Sequence, residues 1–184
     1  VGTDVFKVTF DTEGGSVVKT EFVRHADMAD KSKNVVLLDE SKDRVYFAQS
    51  GLISGNAAGA LPTHKTAMKV LPGERTLKDG TNELTVRFES PEVGGVKLVK
   101  TYLLSRGSYA INVRHEVINT GPAAVSPQLY LQLVRDGNKP EGESSFYFTF
   151  TGPVVYTEAK KYQKAEFSDI EKNKVDIEKT ASNG

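Results

Sequence analysis

Apolar and polar residues alternate with a period of two in several stretches of this chain, and the stretch Val96–Asn119 organises the rest, its alternation cleanest from Tyr109 onward. Tyr109, Ile111, Val113, His115 and Val117 fall on one side, and Ser108, Ala110, Asn112, Arg114 and Glu116 on the other. That is the pattern of a strand with one buried face. The strand before it gathers Val96, Leu98, Lys100, Tyr102 and Leu104 on one side and Val99 and Leu103 on the other, which predicts cover on both faces. Ser105-Arg106-Gly107 joins the two. Gly107 can take the left-handed conformation after a type I turn, giving a three-residue bulged hairpin loop.

The same rule predicts the remaining elements. Asp4–Phe10 and Ser16–Val23 form a hairpin about Asp11-Thr12-Glu13-Gly14-Gly15, whose paired glycines supply positive φ. Asn34–Leu38 and Arg44–Gln49 are short strands, and Asp27–Asn34 is a polar loop. Ser50–Thr63, uncharged and rich in Gly and Ala, reads as a surface loop, with Ser50-Gly51 a turn at a strand end. Thr66–Leu71, Asn82–Glu89, Gln128–Val134, Phe146–Thr151 and Val154–Tyr156 complete the strand set, with a polar loop over Asp136–Ser145. Thr157–Lys164 has helix formers behind a Thr N-cap, while Ala165–Ile170 and Lys174–Lys179 read as strands. About ten strands at such spacing predict an all-β fold of two packed antiparallel sheets, with a short helical element near the C-terminus.

Composition narrows function mainly by exclusion. The 184 residues suit a single domain, 1–184. Twenty-four basic and 24 acidic residues balance, so no global field recruits nucleic acid or anionic lipid. The absence of cysteine removes thiolate metal sites, cysteine nucleophiles and disulfides. No apolar run reaches half the ~20 residues of a membrane helix. A start at Val1, without methionine or signal segment, is the expectation for a piece of a larger protein.

Candidate chemistry is thin. His115 lies on the apolar face of the central hairpin and reads as a hydrogen-bonded structural histidine. His25 and His64 stand in polar loops without a partner at ligand spacing. No Gly-x-Ser-x-Gly or phosphate-loop pattern occurs, the glycines at 51, 55 and 59 lacking a following Gly-Lys-Ser/Thr. Asp27/Asp30, Asp39/Glu40 and Glu141/Glu143 read as solvated charge. The tail lysines 160, 161, 164, 172, 174 and 179 are mixed with Glu158, Glu166, Glu171 and Glu178, a solvated face. Tyr130, Tyr147, Tyr156 and Tyr162 are the candidates for a sugar-stacking platform, though three of them fit strand packing. No catalytic, cofactor-binding or metal-binding residue is assigned on these grounds.

Several stretches together resemble one known family. They are Asp11-Thr12-Glu13-Gly14-Gly15-Ser16-Val17, Tyr46-Phe47-Ala48-Gln49-Ser50-Gly51-Leu52, Lys100-Thr101-Tyr102, Arg106 through Val113, Val117 through Gly121, Phe150-Thr151-Gly152-Pro153, and Lys161-Tyr162-Gln163-Lys164 with Phe167 and Ile170. In order, over nearly the whole chain, they resemble the periplasmic domain of the YidC family of bacterial membrane protein insertases. The resemblance implies a β-supersandwich, similar to galactose mutarotase-like domains, at the periplasmic face of the inner membrane within a multi-pass parent. It implies a non-catalytic scaffold or partner-contact surface that assists insertion and folding. Nascent inner-membrane proteins and the Sec translocon with its accessory subunits would be partners of the parent, with no nucleic acid, metal or other cofactor. It further implies that the membrane helices, and the helical segment expected after Ser182-Asn183-Gly184, lie outside this chain. The alternative is a carbohydrate-binding or aldose-epimerase-like module holding a small ligand in a cleft beneath Ser50–Thr63. Mutarotase chemistry needs a histidine pair and a carboxylate, and no such set is visible in the sequence.

Overall fold

The computed structural model describes residues 1–55, 60–138 and 150–177. Two compact units divide the chain, Val1–Asp136 and Gly137–Gly184.

In the first unit, β1 (Phe6–Asp11), β2 (Ser16–Ala26), β3 (Asn34–Glu40), β4 (Val45–Ser54) and β9 (Pro127–Arg135) form a five-stranded sheet in the order β1-β2-β3-β4-β9. The second sheet has the order β5-β6-β7-β8, from β5 (Lys69–Val70), β6 (Glu83–Glu89), β7 (Val96–Ser105) and β8 (Ile111–Asn119). Every strand pairing is antiparallel. This is the all-β, two-sheet architecture that the alternation predicts.

The core follows from that alternation. β6 sends Leu84, Val86 and Phe88 inward, and β7 sends Val96, Leu98, Lys100, Tyr102 and Leu104. Against them lie Phe6, Val8, Val17 and Leu52 of the other sheet. Burying each large apolar side chain contributes roughly 1.5–3 kcal/mol. Phe10 joins the sheets through its ring, 5.5 Å from Phe88 and 4.7 Å from Tyr102 between centroids. Val99, on the outer face of β7, is also buried, as expected for a strand covered on both sides. Gly107 takes the expected positive φ, 70°, but the loop is longer than the three residues expected: the last β7–β8 pair is Leu104 with Ile111, and Ser108–Ala110 are not strand. The N-terminal turn has Gly14 and Gly15 at 67° and 58°.

Several expectations need correction. Residues 50–54 are strand, not loop: β4 continues to Ser54 and pairs with β9 over nine residue pairs. Tertiary pairing here overrides the Gly/Ala composition. Gly51 is required because the Tyr130 hydroxyl and the backbone at residues 63–64 occupy the space of a Cβ. Residues 56–59 of that stretch lie outside the described residues. The strand expected over Thr66–Leu71 shrinks to Lys69–Val70.

In the second unit, the helix expected over Thr157–Lys164 is a hairpin of β10 (Val154–Thr157) and β11 (Lys161–Lys164). The Thr157 hydroxyl accepts a hydrogen bond from the Lys160 amide, so the would-be helix cap closes a turn instead. Lys161 takes a positive φ of 55°, and Tyr156 and Tyr162 pack across the pair with centroids 5.0 Å apart. The helix forms later, as α1 (Phe167–Glu171), where a strand was expected. Of the strand expected over Phe146–Thr151, residues 146–149 are outside the described set and Phe150-Thr151 is irregular. Residues 139–145 of the expected loop and 178–179 of the last expected strand are also outside it, and residues 174–177 are irregular.

The turn glycines separate two costs. A Cβ at Gly107 meets nothing within 4 Å, whereas one at Gly14 runs into the His64 carbonyl. Gly107→Ala should therefore cost only the dihedral penalty, about 1–2 kcal/mol. Gly14→Ala should cost distinctly more, and denaturant unfolding of both variants checks the order.

Candidate functional site

The strongest concentration of polar groups inside the first unit is built on β7. Lys100 occupies an inward position of an otherwise apolar run, and its side chain is fully buried. Its ammonium donates to the carbonyl oxygens of Gly14 at 2.6 Å and Ser50 at 2.7 Å. Two residues on, again inward, the Tyr102 hydroxyl donates to the Gly15 carbonyl at 2.6 Å. Adjacent side chains of β7 thus hold the β1–β2 turn, and Lys100 also holds β4.

His115 stands directly across from Lys100 on β8. Its Nε2 lies 2.8 Å from the Ser50 hydroxyl, a second tie between the sheets. Above this floor the sandwich opens between β8 and β9 into a cavity of ≈530 Å³. Val17, Leu38, Ile111, Val113, Leu131 and Leu133 supply much of its wall. The lining is mostly aliphatic; its polar members are Ser50 and Tyr102 at the floor and Gln49 and Gln132, which hydrogen-bond each other at 2.8 Å.

Burial governs the electrostatics. It brings the Lys100 pKa down to about 8 and pushes the Tyr102 phenol up. His115 falls to about 4, first through burial and second through the Lys100 charge. At neutral pH the trio is therefore an ammonium, a neutral imidazole and a hydroxyl.

A neutral histidine on a serine hydroxyl has the outline of a nucleophile and its base. The surrounding charge has the wrong sign for that role. A general base must become an imidazolium, which a carboxylate normally stabilises, while here the charge acting on His115 is a cation. What the pair does in this structure is link β4 to β8.

The other sequence candidates do not converge on it. His25 is exposed and meets the Tyr109 hydroxyl at 2.9 Å. His64 contacts the Tyr130 hydroxyl through its backbone amide at 3.0 Å and through Nδ1 at 2.6 Å. Asp27 accepts from the amides of Ala29 and Asp30, and Asp39 pairs with Lys19 at 3.2 Å. Tyr156 and Tyr162 meet edge-on at 60° in the β10–β11 hairpin, in the second unit and not at this cluster. Tyr147, Glu141 and Glu143 lie outside the described residues. Among the described residues no group of three or more His, Asp or Glu is placed to hold a metal. Sequence reasoning missed Ser50 as the meeting point, having read it as a turn. The available signal was Lys100, a lysine on an apolar face that needs buried acceptors.

The chain matches the family described as YidC periplasmic domain over residues 1–184. It is 47% identical over 184 residues to the membrane protein insertase YidC of Bordetella parapertussis, covering all of this chain and 32% of that protein. The corresponding values are 46% for Bordetella pertussis and 45% for Janthinobacterium sp. (strain Marseille), again at 32% of their length. The chain thus spans about a third of the curated relatives it matches.

Two pH signatures follow from the trio. Between pH 8 and 10 the unfolded chain keeps a proton on Lys100 that the folded chain releases, so stability should rise with pH there. Lys100→Met should abolish this rise, and at pH 7 it should cost on the order of 1–3 kcal/mol by leaving two buried carbonyls without a donor. His115 works at the acid end: its contribution is complete above about pH 6.5 and is lost as pH falls toward 4, because the unfolded chain binds the proton first. His115→Gln should flatten that slope. Denaturant unfolding of both variants from pH 4 to 10 measures each effect.

Proposed function

The chain belongs to the YidC periplasmic domain family, and from that membership we propose that it is a non-catalytic part of a membrane protein insertase. In this reading residues 1–184 belong to one periplasmic domain, at the outer face of the inner membrane. The parent inserts and folds inner-membrane proteins, with nascent chains as clients and the Sec translocon as a partner. This region acts as a scaffold or contact surface. The observation that carries the reading is the family match over residues 1–184, with 47% identity to a relative named as an insertase.

The site chemistry supports a non-catalytic role. Lys100, His115 and Ser50 are spent on joining the two sheets, and the cation beside His115 opposes general-base chemistry. A carbohydrate module is disfavoured by the cavity, because sugars call for convergent polar groups and a flat aromatic face, whereas this wall is largely aliphatic.

Insertion of a model client in cells depleted of their own insertase provides the test. Full-length protein carrying Ser50→Ala or His115→Gln should sustain insertion at the wild-type level. Loss of insertion by a variant that remains folded would overturn the non-catalytic reading. Calorimetric titration with common hexoses should show no saturable heat; saturable binding would favour the carbohydrate module.

A further inference from the structure

Sulfur chemistry in this chain is confined to two thioethers. Its 184 residues include two methionines, Met28 and Met68, and no cysteine. A two-electron oxidant, which attacks sulfur first, therefore has two targets here.

The fold treats the two in opposite ways. Met68 is 5% exposed and belongs to the core of the first unit. Its sulfur packs on the N-terminal turn, 3.3 Å from where a Cβ at Gly15 would stand. An oxygen added there would set a polar group among apolar neighbours. Met28 is 89% exposed, more than any other large apolar side chain among the described residues. It stands in the loop between β2, which ends at Ala26, and β3, which begins at Asn34.

That loop is braced without it. The Asp27 amide donates to the Lys33 carbonyl at 2.8 Å, and the Lys33 amide donates to the Asp30 carbonyl at 3.0 Å. The Asp27 carboxylate accepts from the amides of Ala29 and Asp30, and the Asp30 carboxylate accepts from the amide and hydroxyl of Ser32. None of these bonds uses the Met28 side chain, so the loop keeps its shape whether or not that side chain carries an oxygen. An apolar side chain at such a tip adds nothing to packing. What it presents to solvent is its sulfur.

We propose that Met28 is a redox modification site, oxidised reversibly to the sulfoxide by a peroxide while Met68 is spared. A lone pair of the Met28 sulfur attacks one peroxide oxygen and the O–O bond breaks. The sulfur loses two electrons, the S=O bond forms, and the other oxygen leaves as water. A sulfoxide reductase working with a dithiol reverses the change: the oxygen leaves as water, the dithiol becomes a disulfide, and the thioether returns. The exposed tip admits both reagents, and the bracing lets the sandwich stand through the cycle. Met28 thus takes up oxidant ahead of the core. This inference does not depend on the insertase reading.

The test treats full-length protein with excess hydrogen peroxide and counts sulfoxide peptide by peptide by mass spectrometry. Met28 in the folded protein should react at about the rate it shows in denaturant, and Met68 about tenfold more slowly or less until denaturant is added. Sulfoxide at Met28 alone should leave the unfolding midpoint unchanged. Reductases for the two sulfoxide epimers, supplied with a dithiol, should remove it from the folded protein. Equal folded-state rates at the two methionines would overturn the proposal. Strong protection of Met28 would also overturn it, by showing that a partner or another part of the polypeptide covers the loop. So would a lowered midpoint, or a sulfoxide that the reductases leave in place. Met28→Leu is the control and should keep the wild-type midpoint; a drop would mean that Met28 is needed for packing and would count against a site free to change its chemistry.

Discussion

The structure turns on one buried ammonium. Lys100 carries a positive charge into the middle of a sandwich and finds there two carbonyl oxygens, from the Gly14 turn and from Ser50 in β4. Burying a charge without a counter-ion is expensive, and the depressed pKa is the sign of that cost. What the arrangement secures is position. Tyr102 and His115 add their own hydrogen bonds beside it, so the turn, β4, β7 and β8 meet at a single register. Apolar packing alone tolerates sliding between sheets, whereas four directed polar contacts do not.

That polar centre also explains why a cavity of useful size carries no evident chemistry. The groups at its floor satisfy one another and hold the sheets. Beyond them the wall is largely aliphatic, interrupted by Gln49 and Gln132, and continuous with the exposed leucines of β9. Ordered floor and exposed rim are the two ends of one inter-sheet space, covered where β6 and β7 face β1 and β2 and, among the described residues, exposed at β8 and β9.

Much of this architecture was legible in the sequence, because period two is a strong signal when one face is buried. β6, β7 and β8 were readable from alternation, and Gly107 and the Gly14-Gly15 pair announced their turns through the need for positive φ. Resemblance to the YidC family added what alternation could not. The failures share a cause: local composition was trusted where a distant partner decides. Gly51 and its neighbours look like loop until Tyr130 is seen to fill the space of the missing side chain. The helix formers of Thr157–Lys164 yield to the pairing of Tyr156 with Tyr162. For the site, Lys100 was visible as an anomaly in an apolar pattern. Its acceptors were not, since they are backbone carbonyls 86 and 50 residues away in sequence.

The buried ammonium can be observed directly. Carbon-13 NMR of the Lys100 ε-carbon, assigned by comparison with Lys100→Arg, follows its protonation in the folded protein. The account predicts a titration midpoint near pH 8, well separated from the other lysines. A midpoint at the ordinary lysine value of 10.5 would place the amine in water and contradict the central tie between the sheets.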